Sequence, residues 1–376
     1  MALHSTMRRK NVVVNNDSAQ IRRVDDAASY NPNVEWRASY SPCRRCNVKR
    51  IFSALALVLI FGYDSLNPLF DELALPTLQR TSFALHAPMG SIIYGAKSKG
   101  DDTAKLVTQA IQSGFRHIAT GGFHNEYNES GVGIGWKESG IPRQELYLQT
   151  LFVARSVNGY GSRNCNLRDA SRCRQLTNAT IEEQVHMSIE SSLRNLQTNY
   201  IDAVLVHNFR AKLQPYDETI QVWRVLEEYV SQGIIRHLGI VSCHDKDYLF
   251  KLVNDTKIKP SIIQNRFHSN RQYDIELRPF FKQWGMANQL FWILTGSAGG
   301  KTGSSVIAGI AEKMGKISPK ILLYSLTMEL GGTPMIGTKS ISHMQEDVDT
   351  LVKNRMNWAK EDLYAVAAEI HKSLLQ

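Results

Sequence analysis

From Ser91 onward, short apolar runs alternate with longer stretches in which apolar residues recur at three-and-four spacing. The short runs, Ser91–Gly95, Arg116–Thr120, Leu146–Thr150, Ile201–Val206, Ile235–Val241, Ile262–Phe267, Leu290–Leu294 and Pro334–Gly337, predict strands. The stretches between them, among them Asp102–Ser113, Glu182–Leu196, Thr219–Gln232 and Pro319–Leu330, predict amphipathic helices. Eight strands with intervening helices over about 260 residues fit an α/β fold of the (β/α)8 TIM barrel type better than an open sheet. No G-x-G-x-x-G follows a strand, which argues against a Rossmann domain. Gly131, Gly133 and Gly135 have the wrong spacing and are expected to sit before a helical segment that does not leave a strand.

Upstream the pattern changes. Residues 1–50 form a Ser- and Asn-rich leader, read as disordered, with ten Lys/Arg against four Asp/Glu, a net of +6 out of the formal +9. The rest is close to neutral and no nucleic-acid motif accompanies the basic leader, so no nucleic-acid partner is expected. Residues 51–70 open on the apolar run IFSALALVLIFGY, Ile51–Tyr63. A comfortable span needs about 20 residues, so length alone speaks against one. The one-sided basic flank and the later sequons at Asn128, Asn178 and Asn254 favour membrane association. The first reading is a signal anchor, with Met1 to Arg50 cytosolic and a lumenal barrel over residues 73–376. That makes a single-pass type II glycoprotein of the endoplasmic reticulum or Golgi. A cleaved targeting segment, a peripheral helix and a cytoplasmic protein are the alternatives. With 43% hydrophobic and 21% charged residues, the remainder is long enough to bury a large core.

Five cysteines leave the compartment open. Cys43 and Cys46 form a CxxC without a second pair, so no metal site is expected, and palmitoylation beside the apolar run is an equal reading. Cys165 and Cys173 flank an Arg-rich loop and read equally as a disulfide or as two free thiols.

Barrel chemistry sits where strands end. Those positions are Ala119 and Thr120, Leu151, His207, Val241 and Ser242, and Gln264 and Asn265. There the strings GFRHIATGGFHNEYNESGVGIGW, ELYLQTLF, SLRNLQTNYIDAVLVHN, VWRVLEEYVSQGIIRHLGIVSCHD, IKPSIIQNRF and PMIGTKSISHMQED resemble the successive motifs of the aldo-keto reductase superfamily. The likeness runs from about Ser91 to Leu351 and is strongest to the branch whose active-site loop ends in H-Y-N-E-x-G-V-G.

The resemblance implies an NADP(H)-dependent oxidoreductase acting on a small-molecule carbonyl through a Tyr, Lys, Asp and His. The Lys, held by the Asp, lowers the pKa of a tyrosine that is otherwise near 10. Carried over, the Tyr falls on Tyr127, the longer spacing choosing it over His124, and the His on His207. The Asp falls on Ala119 and the Lys on Leu151. Joint loss is coherent, because one survivor of a buried ion pair would strand a charge. The implied cofactor residues are Ser242 and Gln264 at the nicotinamide amide and Phe291 or Trp292 stacked on its ring. At the adenosine-phosphate end they are Gly337, Thr338, Lys339, Ser340, His343, Glu346 and Asp347, with His343 replacing a frequent Arg. Three functions follow: an NADP(H)-binding pseudoenzyme with impaired or lost reductase activity and a regulatory or protein-partner role; an active oxidoreductase with altered chemistry on Tyr127 and His207; and a secretory-path glycan-binding, glycan-modifying or partner-binding protein. Substrate, partner and oligomeric state are not legible.

Overall fold

The computed structural model describes residues 91–122, 126–153, 179–207, 215–296, 298–354 and 357–371. The leader, the apolar run 51–63, Cys43, Cys46, Cys165, Cys173, Asn178 and His124 lie outside them. No helix among the described residues is long and apolar enough to cross a membrane.

Eight parallel strands close in chain order into one barrel. They are β1 (Ile93–Gly95), β2 (His117–Ala119), β3 (Tyr147–Phe152), β4 (Ile201–His207), β5 (Ile235–Val241), β6 (Ile262–Arg266), β7 (Ala287–Phe291) and β8 (Gly332–Ile336). Ten helices are described around them. These are α1 (Thr103–Ser113), α2 (Glu129–Glu138), α3 (Ile181–Leu196), α4 (Tyr216–Ser231), α5 (Lys246–Asp255), α6 (Arg278–Gln283), α7 (Ser305–Lys313), α8 (Pro319–Glu329), α9 (Ile341–Val348) and α10 (Lys360–His371). Their apolar stripes pack on the outward strand residues Ile118, Leu148, Val204, Ile240 and Ile263 in one continuous core. The inward residues form a second, smaller cluster of Tyr147, Leu151, Ala203, Leu205, Val241 and Ile262.

The expected strands are found, with two corrections. β7 lies three residues earlier than Leu290–Leu294. Its Asn288 and Gln289 look like loop, yet Gln289 points inward and pairs with other glutamines, so polar residues belong to this strand. The run Gly131–Gly135 lies inside α2, not ahead of it. There it is needed for close approach: a Cβ on Gly133 would stand 2.1 Å from the Asn195 oxygen, and one on Gly135 2.5 Å from that of Ala104. Glycine costs a helix about 1 kcal/mol against alanine, and here it lets α2 wedge between α1 and α3.

At the closed end of the barrel Asp202, on β4, accepts from Arg143 at 2.7 Å and Arg236 at 2.9 Å. It also accepts from the Leu148 backbone at 2.9 Å. Both guanidinium groups lie 4.0 Å from the Tyr200 ring. Stacking and full hydrogen bonding make this buried charge tolerable. Asp202→Ala is therefore expected to destabilise by about 3–5 kcal/mol in urea unfolding, by stranding both arginines. Asp347, 4% exposed on the buried side of α9, behaves oppositely. Burial, helped by Glu346, raises its carboxyl to about 7. The folded state thus holds a proton that the unfolded chain has lost, and stability falls as pH rises from about 4 through 7. Asp347→Asn should remove that slope and gain on the order of 1–3 kcal/mol over wild type at pH 8, with the gap closing toward pH 4.

Candidate active site

Tyr127 enters the barrel mouth from a loop that is fixed on three sides. Asn128 caps α2, its Oδ1 accepting from Gly131 N at 2.9 Å and from Ser130 Oγ at 2.8 Å, while its Nδ2 donates to Gly100 O. The carboxamide of this sequon is therefore committed to a helix cap. Glu129 turns inward and is buried, accepting from Thr150 Oγ1 at 2.6 Å, Ser192 Oγ at 2.8 Å and Asn195 Nδ2 at 3.3 Å. These bonds pin the loop to β3 and α3.

So held, the Tyr127 ring lies over Gly121, where a Cβ would come within 3.0 Å of it and 3.3 Å of Leu151 Cβ. The ring packs against the inward cluster containing Leu151, Leu205 and Val241, as does Phe291. Ala119 and Leu151, where the resemblance expects Asp and Lys, are each 5% exposed. Burial, with Glu126 adding to it, pushes the Tyr127 phenol well above its ordinary value. His207 ends β4 beside Val241 of β5. Burial first, then the charges of Lys97 and Arg266, lowers its imidazole to about 3, so it is neutral at physiological pH.

The expected nicotinamide residues separate. Ser242 follows β5 with φ 61, a left-handed conformation that a serine adopts at a cost, and its N–H donates to Gln264 O at 2.9 Å. Gln264 is buried and its Nε2 donates to Gln289 Oε1 at 2.8 Å. Gln289 and Gln149 exchange two bonds of 2.9 Å, and Gln149 Oε1 also accepts from His117 Nε2 at 2.8 Å. Gln264 is thus the upper end of a polar chain through the barrel. Phe291 is the inward aromatic of the pair. Trp292, φ 63 and 43% exposed, lies outside under Arg266, whose guanidinium is 4.0 Å from its ring.

The expected phosphate residues gather at the start of α9. Ser340 caps the helix at His343 N, and Gly337, Lys339, His343 and Glu346 are exposed. Asp347 belongs instead to the packing below. The buried Lys99, from the loop after β1, donates to Gly337 O, and Tyr94 Oη donates to Thr338 O at 3.1 Å. Burial and then Lys339 lower the Lys99 ammonium to about 8. Neither strand ends nor motif matching singles out Lys97, Lys99, Glu129, Arg266, Gln149 or Gln289 for these roles. A polar residue on the inward phase of an apolar strand, as at Gln149, is the signal that marks such groups.

A profile of the Aldo/keto reductase family matches residues 89–291. The glyoxal reductase of Bacillus subtilis is 32% identical over 224 residues, 60% of this chain and 69% of that protein. The 9,11-endoperoxide prostaglandin H2 reductase of Trypanosoma cruzi is 30% identical over 225 residues, 60% and 68%. A crystal structure of an aldo/keto reductase from Brucella melitensis superposes with a TM-score of 0.59 at 22% identity, covering 74% of this chain and 94% of that one. A Gox0644 mutant in complex with NADPH gives 0.58 at 20% identity, covering 74% and 89%. The profile match spans over half of the chain and coincides with the barrel, from β1 to the end of β7. This chain belongs to the aldo/keto reductase family.

Proposed function

We propose that this chain is an NADP(H)-binding aldo/keto reductase homologue whose carbonyl reductase chemistry is impaired, because the tyrosine at its mouth rests on hydrocarbon where a Lys–Asp pair would tune it. The observation that carries this reading is the packing of Tyr127 on Leu151 and Gly121. The start of α9 suits a nucleotide phosphate: the positive end of the helix follows the exposed Lys339, with Lys99 bracing the turn. Ser242, Gln264 and Phe291 would serve the nicotinamide end. NADPH supplies a hydride when bound.

The residues of the chain set how well a carbonyl oxygen is met. Tyr127 holds its proton firmly and can donate a hydrogen bond to that oxygen. Releasing the proton is disfavoured by roughly 1.4 kcal/mol for each unit its pKa stands above the ordinary value. Neutral His207 can orient the oxygen without adding charge. Acid–base assistance is worth about 10²–10⁴ in rate, and that is the loss expected here. A working enzyme with altered chemistry on Tyr127 and His207 is the competing reading, and the same assays separate the two.

Fluorescence titration of the full chain with NADPH should show saturable binding, and NADPH oxidation with glyoxal should fall some 10²–10⁴ below typical turnover of ~10 per second. Ordinary turnover, abolished in Tyr127→Phe, overturns impairment in favour of the competing reading; absence of nucleotide binding overturns the NADP(H) assignment. Ala119→Asp with Leu151→Lys together should raise turnover at least about tenfold by lowering the tyrosine pKa. Leu151→Lys alone should destabilise the fold by about 3–5 kcal/mol in urea unfolding, more than the double variant does.

A further inference from the structure

The closed end of the barrel carries a groove that neither the carbonyl nor the nucleotide reading uses. It is an open depression of about 680 Å³ between the ends of α2 and α3, lined chiefly by Trp136, Lys137, Leu193, Arg194, Gln197 and Asn199. Lys137 and Arg194 are exposed, and none of the described residues lining it is Asp or Glu. Arg194 meets Glu190 only at 3.8 Å, with both side chains 62% exposed, which makes a weak pair. Arg143, which also lines the groove, shares Asp202 with Arg236, so two guanidinium groups face one carboxylate and net positive charge remains. Trp136 is held in place: its Nε1 donates to Leu196 O at 2.7 Å, and Lys137 Nζ stands 5.8 Å from its ring. The carbonyl ends of both helices, which would repel an anion, are answered within the chain. At the end of α2, Ser139 N and Oγ donate to Gly135 O and Trp136 O, and Gly140 N donates to Lys137 O. At the end of α3, Gln197 N and Thr198 N donate to Arg194 O and Leu193 O.

We propose that this groove docks the barrel on an anionic membrane surface, its cations meeting phospholipid headgroups and its Trp136 ring lying at the interface. Charge complementarity selects the partner, because the groove offers Lys137 and Arg194 with no carboxylate lining it. Trp136 beside Leu193 adds the aromatic and apolar surface that suits the boundary of a bilayer, where Lys and Arg reach out to the headgroups. The route of the chain supplies a second, independent support. All eight strands run parallel, so Ile93 opens β1 at the same end of the barrel as the groove. The sequence carrying the basic leader and the apolar run Ile51–Tyr63 therefore joins the barrel at that end. Docked in this way, the closed end meets lipid and the mouth opens away from it toward the solution that supplies its ligands. A peripheral run, with leader and barrel on one side of the bilayer, is the arrangement this requires. The docking is independent of whether the mouth holds a carbonyl compound or a nucleotide.

The test is cosedimentation of the full chain with vesicles of phosphatidylcholine alone and of equal parts phosphatidylcholine and phosphatidylserine, with amide exchange measured on the bound protein. Binding should be at least about tenfold tighter with phosphatidylserine, weaken with added salt, and slow exchange at residues 136–143 and 193–199. Lys137→Gln with Arg194→Gln should weaken it at least about tenfold. Both side chains are exposed, so the urea midpoint should not move. Lys105→Gln with Lys246→Gln removes the same charge at the mouth ends of α1 and α5 and should cost less than about twofold. Equal weakening by the two double variants, which a diffuse charge would give, overturns the inference. So does failure to bind either vesicle, or binding that leaves exchange at the groove unchanged and so proceeds through the leader alone. Protection of the groove by inorganic phosphate as strong as that by vesicles would make it a free-anion site. Protection without vesicles that is lost in Asp71→Asn with Glu72→Asn would give the groove to the chain's own acidic stretch. Either result overturns the membrane assignment.

Discussion

A closed parallel barrel excludes solvent, so every side chain aimed at its axis is either apolar or answered by another inward side chain. This chain meets that constraint in layers. Leu151, Leu205, Val241 and Ile262 fill the upper part with hydrocarbon. Among them Gln264, Gln289, Gln149 and His117 answer one another across strands that are not all neighbours, closing a polar chain without a charge. Burial keeps His117 neutral, its imidazole lowered to about 4. Within such an interior a charged pair at positions 119 and 151 must be present whole or absent whole. Ala119 and Leu151 carry no charge at those positions, and the Tyr127 ring packs on the hydrocarbon they leave.

The same constraint explains what was legible in the sequence. β5 agrees with its apolar run residue for residue, because Ile235–Val241 is apolar on both phases where it matters. β7 does not, because its inward Gln289 is satisfied by partners 25 and 140 residues away, and no local pattern records them. The glycines of α2 are visible as a run, but their purpose lies in the backbone of α3, which sequence spacing does not reveal. The positions of Tyr127 and His207 follow from ordered motifs, and the structure brings both to the mouth. The choice between Phe291 and Trp292 requires the strand register, which separates an inward ring from an exposed one. Asp347 reads as a surface ligand from its place after Lys339, yet the helix turns it under.

Charge is divided between the two ends of the barrel according to what each end must do. At the closed end Asp202 is surrounded by two guanidinium groups and a backbone N–H, with Tyr200 between the arginines, so the buried charge is answered within the chain. At the mouth the exposed Lys97 pairs with the Glu126 carboxylate, and the exposed Arg266 guanidinium lies 4.0 Å from the Trp292 ring. Lys97 and Lys99 show how little sequence separates these outcomes. A single left-handed residue between them sends one side chain to a buried carbonyl and the other to an exposed carboxylate.

That division bears on what chemistry the mouth can support. A cation beneath a phenol lowers the pKa of the phenol itself, and its benefit reaches any carbonyl the tyrosine touches. A cation at the rim acts over a longer path through more polarisable surroundings, and its attraction for a full negative charge on a ligand greatly exceeds its effect on a neutral hydroxyl.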